Sequence, residues 1–440
     1  MSGQQLLEQA QQLLAILRGQ ARRAFVIELT GTPKAGKSTS VTILRTFFAQ
    51  AGYQVHLLKE RAADCPLPMK GHFFFNAWTT ATMLAEVLAT QETSVDVLLL
   101  DRGFFDALVW LELQARRDQV SADETRVFAD FVLLERWRSL VDVTVIMKVT
   151  PDVALRREHD GQIVPRVGGM MNPSALAQFN EALDEVARKY RERFSLITID
   201  TTPSRRVVDT NITLLRELLP RIEAWADPQI AVVSRAAVVA LFGERPFIFG
   251  EDAKKALSEL AGQVTFARRS DAERDSNLVQ FIAAGVHTYK DRILILERES
   301  REKDKKAKDY GRRTLWIGCH VDSRGEVLAA AIECLDRRIQ QDLHLWTRPT
   351  VDFLGLAWDQ SQPETQHLGV MFRAPVSSDH VAEHLKDKQF KKMGRAGRLK
   401  SLFMTQEEIV TGLDDLDLEP WSRYMVRNIK LTVIDKDVTP

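Results

Sequence analysis

Apolar positions in the first half of the chain follow two alternating rhythms. Short β-branched runs at 25–30 (FVIELT), 54–58, 95–100, 143–149 and 195–200 read as buried strands. Between and after them, apolar residues recur at helical spacing. They predict helices over 37–50, 73–90, 104–117, 123–140, 151–158, from 172 to 194, and over 204–226. This alternation predicts an α/β unit on a parallel, doubly wound sheet. Ahead of it, Leu6, Ala10, Leu13, Leu14 and Leu17 mark an amphipathic helix. Such a stripe serves either packing on its own domain or a dimer contact, so a homodimer is one expectation.

The alternation stops near Ala226-Asp227-Pro228, where a domain boundary is expected. Beyond it, strand-like runs at 278–286, 292–297, 314–317 and 367–372 accompany one long helical pattern at 325–343, which reads as α+β. The expected organisation is an N-terminal helix over 1–22, an α/β unit over 23–226 and an α+β unit over 227–440. The charged run 297–313 reads as a solvated loop.

Composition narrows the class. Among 440 residues, 60 Lys+Arg balance 60 Asp+Glu, so no global positive field exists to hold nucleic acid, and a nucleic-acid partner is not expected. The basic run 386–400 reads as a solvated face, or else as a phosphate or nucleic-acid patch. Three separated cysteines, Cys65, Cys319 and Cys334, give neither a disulfide framework nor a zinc knuckle and fit a reducing compartment. The N-terminus lacks the basic and apolar regions of a secretory signal. No apolar stretch is long enough to span a bilayer. A cytoplasmic location without membrane contact is expected.

The turn after the first strand carries the chemistry. Gly31, Thr32, Pro33, Lys34, Ala35, Gly36, Lys37 and Ser38, followed by Thr39, fit G-x-x-x-x-G-K-[ST] between a strand and a helix. Glycines let successive N–H groups turn inward onto phosphates, and the helix N-terminus adds its positive end. Lys37 suits the β- and γ-phosphates and Ser38 a Mg²⁺ ion, so ATP and Mg²⁺ are expected. A loop that binds nucleotide without turnover is the alternative.

Residues at the other strand ends suggest what the loop serves. Strand three ends in Asp101-Arg102-Gly103, then Phe104-Phe105-Asp106. Carboxyl ends of such strands border the ligand crevice. Asp101 suits Mg²⁺ through water, or orientation of an acceptor. Arg102 suits an acceptor phosphate or a bond to an acid, and Asp106 joins the substrate-binding set. Strand two ends in Lys59-Glu60-Arg61, placing Glu60 as a base for a hydroxyl, as an orienter of substrate phosphate through Arg61, or as a plain surface ion pair. Phe75, Asn76 and Trp78 suit a nucleobase, although an aromatic stripe at this spacing also suits a core. Arg156, Arg157 and Arg166 flank the glycine-hinged segment 160–172, which reads as a lid that brings positive charge to a transferring phosphoryl group, although each arginine also suits an exposed helix face. No N-K-x-D guanine signature is present, and the domain is short for a motor ATPase.

On these features, residues 23–224 resemble the thymidylate kinase and deoxynucleoside kinase group. Tyr190 in the late helix and Asp200 ending the fifth strand add to the likeness. The resemblance implies a five-stranded parallel sheet of order 2-3-1-4-5. It also implies Mg²⁺-dependent transfer of the ATP γ-phosphoryl group to a nucleoside or its monophosphate. Gly103 and Phe104 depart from the D-R-Y-plus-Ser pattern, and Lys59-Glu60-Arg61-Ala62 from R-E-P-G, which leaves the acceptor open.

Residues 275–415 resemble a Nudix-type fold through Gly318-Cys319-His320-Val321-Asp322, the helix after it and the run 367–372. The R-E-U-x-E-E pattern falls on Arg337, Arg338, Ile339, Gln340, Gln341 and Asp342, with Arg338 and Gln341 at glutamate positions. A cation and an amide remove charge that would hold a metal. A regulatory, ligand-sensing or scaffolding role follows, while Glu333 and Asp336 could rebuild a site. The competing whole-chain functions are therefore a nucleotide-sensing regulator and a nucleotide-pyrophosphate hydrolase acting through the second half.

Overall fold

The computed structural model describes the chain except residues 1, 20–22, 69–70, 91–94, 162–168, 204–205, 300–311, 344–349, 359–365, 377, 386–388, 392–397 and 432–440. At 19, 298–299, 341–342, 380, 389–391 and 398–399 only the backbone is described. Arg166 and Gly168 of the expected lid therefore lie outside the described residues. So do most of the 297–313 loop, much of the 386–400 basic run and the side chains of Gln341 and Asp342. The chain divides into two compact units, Met1–Ala226 and Asp227–Pro440.

The first unit runs α1 (Gly3–Gly19), β1 (Phe25–Gly31), α2 (Lys37–Gln50), β2 (Val55–Leu58), α3 (Phe73–Thr90), β3 (Val97–Asp101), α4 (Phe104–Arg116), α5 (Ala122–Val132), α6 (Glu135–Arg138), β4 (Val143–Lys148), α7 (Pro151–Asp160), α8 (Pro173–Lys189), β5 (Leu196–Asp200) and α9 (Val207–Ala226). Its five strands are all parallel, in the order β2-β3-β1-β4-β5. This is the order implied by the kinase resemblance. Central β1 is buried along its whole length. Its side chains alternate between faces. Phe25, Ile27 and Leu29 enter a core shared with α1, α2 and α9. Val26 enters a second core with α3, α4, α5 and α8. Period two therefore assigns Glu28 and Thr30 to the α4 side.

Helix α1 buries Leu6, Ala10, Leu13, Leu14 and Leu17 in the first core, and the Tyr53 hydroxyl donates to the Ala10 carbonyl at 2.8 Å. Its apolar stripe is thus used within the unit, not held out for a dimer. The helix expected over 123–140 is interrupted. Leu134 takes ψ 124°, and the Trp137 Nε1–H donates to the Phe131 carbonyl at 2.8 Å, an acceptor that continuous helix would use. The helix expected to reach 194 stops at Lys189, where the chain turns and Phe194 enters the second core.

The second unit holds β6 (Gln229–Ser234), β7 (Phe247–Phe249), β8 (Thr265–Arg268), β9 (Leu278–Tyr289), β10 (Arg292–Glu299), β11 (Arg313–Thr314), β12 (Trp316–His320), β13 (Asp352–Ala357), β14 (His367–Pro375), β15 (Gln389–Lys391) and β16 (Arg398–Thr405). They form a mixed sheet with the path β15-β16-β10-β9-β14-β13-β7. Strands β6 and β12 also pair with β9. β9 and β14 run parallel, and the other registered pairs are antiparallel. The body of this unit is larger than 275–415. β6 and β7 precede that range yet pair with β9 and β13, and the helix Pro420–Asn428 follows it yet places Trp421 and Met425 in the core with Ile282 and Met371.

The helix Val327–Leu343 lies against β9. Leu335 and Ile339 are buried, and a Cβ on Gly285 would stand 3.0 Å from Leu335 Cδ2. Arg337 donates to Asp322 Oδ1 at 2.6 Å, and Glu333 is exposed. Among the described residues no group of three or more His, Cys, Asp or Glu side chains could hold a metal, and no helix is long and apolar enough to cross a membrane.

Candidate active site at the phosphate loop

The loop is built by close approach of backbones. Gly31 sits at φ 134°, and a Cβ there would lie 1.9 Å from the Met147 carbonyl oxygen on β4. Only glycine satisfies both the angle and the contact. Lys34 (φ 63°) and Gly36 (φ 93°) bend the loop into α2 through the left-handed region. Thr32 is buried with its hydroxyl against Asn180 Oδ1 at 2.5 Å, and Lys34 Nζ pairs with the buried Glu158 at 2.5 Å. Pro33 is half-buried, Ala35 is buried, and Ser38 and Thr39 are exposed at the start of α2.

Lys37 folds over the loop and donates to the carbonyls of Gly31 (2.8 Å) and Thr32 (2.9 Å). Burial, and then the neighbouring Arg102 guanidinium, push its ammonium down to about 7. Ser38 Oγ donates to Asp101 Oδ2 at 3.4 Å. Two oxygens held side by side on one octahedral Mg²⁺ stand about 3.0 Å apart, given metal–oxygen distances of about 2.1 Å. A small adjustment would let this pair hold the ion, directly or with water at one position. Burial raises the Asp101 carboxyl above its ordinary value.

Arg102 follows at φ 70°, its amide donating to Leu29 O at 2.9 Å. Its Nη1 donates to Asp106 Oδ1 at 2.7 Å, and its Nε stands 2.8 Å from Glu60 Oε1 as an ion pair. Burial works against this guanidinium charge, but Asp106 and Glu60 outweigh it and raise its pKa. Asp106 is buried and also accepts from the Thr30 hydroxyl at 2.6 Å. Asp106 is thus an anchor for Arg102, whereas Glu60 keeps a half-exposed carboxylate.

Lys37, Ser38, Glu60, Asp101, Arg102 and Asp106 therefore form one electrostatic group. Other expected residues lie differently. Arg61 pairs with Asp64 (3.4 Å) and Glu86 (3.9 Å). Asn76 is buried and donates to the Ala107 carbonyl at 3.0 Å, tying α3 to α4; Phe75 is buried and Trp78 half-buried on the same helix. Arg156 is exposed beside Asp152. The Arg157 guanidinium reaches the backbone of the loop, donating to the Lys34 carbonyl (3.2 Å) and to the hydroxyl and carbonyl of Thr201.

Three participants escaped the sequence reading: Glu28, Glu158 and Asn180. Glu28 left a signal, a lone acid inside an otherwise apolar strand, which must find donors when buried. It accepts from the Phe105 and Asp106 amides at 3.1 and 2.9 Å, while burial pushes its carboxyl up to about 7. Glu158 and Asn180 are distant in sequence from the loop and left none.

Comparison with known proteins sets the phosphate loop in context. Residues 2–71 match the family model of the methylmalonyl-CoA mutase-associated GTPase MeaB, a P-loop family. That match spans α1, the phosphate loop and α2 of the first unit. No curated protein matches the chain. Among solved structures, deoxyadenosine kinase from M. mycoides with dCMP and dCDP bound is 16% identical over 44% of this chain and 98% of that one, with a TM-score of 0.35. The same enzyme with dATP bound is 14% identical over 44% and 99%, also with a TM-score of 0.35. Tm1382, provisionally described as a Nudix hydrolase, is 21% identical over 45% of this chain and 96% of its own, with a TM-score of 0.32.

Proposed function

We propose that the first unit transfers the γ-phosphoryl group of ATP to a hydroxyl of a nucleoside-type acceptor, with Mg²⁺. The observation that carries this reading is the Glu60–Arg102–Asp106 chain beside the loop. Counting Asp101, three carboxylates surround a single guanidinium. An acceptor already bearing a phosphate would bring its charge against these acids. A neutral hydroxyl instead meets a half-exposed carboxylate that can take its proton, so the nucleoside is preferred to the monophosphate.

Each residue then has a task. The loop amides and Lys37 would hold the phosphates, and Ser38 with Asp101 would hold a Mg²⁺ ion, whose charge would offset that of the phosphates. Glu60 accepts the hydroxyl proton, and Arg102 fixes the direction of Glu60. Phosphoryl transfer asks the protein mainly for position and charge, and this group supplies both. ATP is preferred to GTP because the chain lacks N-K-x-D.

The test is transfer by the full chain and two variants. Lys37→Ala is expected to lower transfer about 10²–10³-fold with the fold retained. Glu60→Gln is expected to lower kcat about 10²-fold or more with ATP binding intact. Transfer that persists in Lys37→Ala would refute the site assignment.

A second reading is a nucleotide-sensing switch. It is favoured by Lys37 resting on the loop's own carbonyls. Tight ATP binding without transfer to any acceptor would select it. For the second unit we propose a Nudix-like ligand-binding or scaffolding role, supported by Arg337, on the helix that would otherwise gather a metal, pairing with Asp322 in the segment before that helix. Pyrophosphate hydrolysis that survives Lys37→Ala would assign catalysis to that unit instead.

A further inference from the structure

Glu28 stands in the middle of the central strand with no exposed surface. A charge there is costly unless its oxygens find donors. They find them on α4, where Oε2 accepts the Phe105 amide and Oε1 the Asp106 amide. First-turn amides of a helix have no partner within it, and a negative group suits that end. The residue before α4, Gly103, offers no side-chain cap. The cap is supplied from a neighbouring strand.

Gly103 makes this arrangement possible. Its φ of −161° is one that any residue adopts, and its ψ of −138° lies outside the ordinary β range, but φ/ψ does not make the strongest demand for glycine. Space does. A Cβ there would lie 2.9 Å from the Glu28 carboxyl carbon and 3.1 and 3.2 Å from its oxygens. Glu28 and Gly103 are therefore two halves of one device. That device accounts for Gly103, a departure from the D-R-Y pattern.

The device grips what lies next to it. Asp106, whose amide Glu28 accepts, holds Arg102 Nη1 and the Thr30 hydroxyl. Arg102 sits at φ 70°, a strained conformation that persists only when its surroundings fix it. Its amide bonds to Leu29, the residue after Glu28. The phosphate loop is secured elsewhere, by Met147, Glu158, Arg157 and Asn180.

We propose that Glu28 is a positioning residue of the transfer site. By capping α4 from β1 it fixes the Asp101–Arg102 turn, and with it the direction in which Arg102 and Glu60 meet the acceptor. This rests on the transfer reading given above. Glu28 itself touches neither substrate.

The experiment measures ATP affinity and acceptor kinetics separately on the full chain, for the wild type, Glu28→Gln, Gly103→Ala and the double variant. Glu28→Gln keeps the shape but turns an NH₂ toward an amide donor. Gly103→Ala leaves the carboxylate and displaces it, so it serves if the first variant does not fold. Each single variant is expected to lower acceptor kcat/KM at least tenfold while ATP affinity stays within about twofold. The double variant should lose less than the product of the two losses, because both act on one device. Unchanged acceptor kinetics in either folded variant would overturn the proposal. So would equal losses in ATP affinity and acceptor kinetics, which mark a general structural defect. A wild type that transfers to no acceptor would instead bring down the transfer reading, and the proposal with it.

Discussion

Replacing Glu28 by Gln should change how the stability of the first unit depends on pH. The carboxyl is fully buried, and its pKa is pushed from 4.5 to about 7 by burial, against the pull of the Asp106 and Phe105 amides; the facing Asp106 carboxylate adds to the rise. A carboxyl with a higher pKa in the folded chain holds its proton more tightly there. The stability from that proton is fully present below pH 4.5, where both states are protonated. It is lost as pH rises toward 7, because the unfolded chain releases its proton first. At about 1.36 kcal/mol per pKa unit, the loss between pH 5 and pH 8 comes to about 2.5 kcal/mol. Glutamine has no such proton. The stability of Glu28→Gln relative to wild type should therefore improve by about that amount over the interval, whatever its offset at pH 5. Urea unfolding of the full chain at several pH values, with amide exchange of β1 and α4 peptides read by mass spectrometry, isolates the first unit. A difference that stays flat from pH 5 to 8 would refute the placement of a buried, proton-retaining carboxyl at this position.

Further substitutions test other parts of the account. Leu6→Ala removes a fully buried side chain of α1 and should cost about 2–5 kcal/mol in unfolding of the first unit; a change near zero would mean that α1 does not pack on this unit. Gly31→Ala must relieve a Cβ 1.9 Å from Met147 O at a φ that disfavours side chains, and should destabilise the first unit by at least about 3 kcal/mol. Thermal melts with and without ATP read that cost, and an unchanged melt would contradict the loop geometry. Glu158→Gln frees Lys34, the bent residue of the loop, from its buried carboxylate and should weaken ATP binding several-fold by calorimetry; unchanged affinity would show that this pair does not shape the loop.

The first unit was the more legible half because its signals are local. A strand such as FVIELT lies wholly between two cores, so apolar residues fall on both of its faces, and a G-x-x-x-x-G-K-S turn states its own geometry. Lys37, Ser38, Asp101, Arg102 and Glu60 could be placed together from strand ends alone, since parallel sheets gather those ends at one edge. Side-chain direction could not be read in that way. Asp106 and Asn76 look like ligand contacts by position, yet one holds Arg102 and the other a backbone carbonyl. Their partners lie on other elements. In the second unit, β7 has only three residues and pairs with β13 more than a hundred positions later. No local period marks such a strand, so the body of that unit looked shorter than it is.

The central claim is phosphoryl transfer to a hydroxyl acceptor, and the most direct measurement is product mass. The full chain is incubated with ATP and Mg²⁺ against a panel of nucleosides and nucleoside monophosphates. The account predicts that a nucleoside becomes heavier by one phosphoryl group and that this gain disappears in Lys37→Ala. Phosphorylation of monophosphates alone, or tight ATP binding with no acceptor modified, would contradict it.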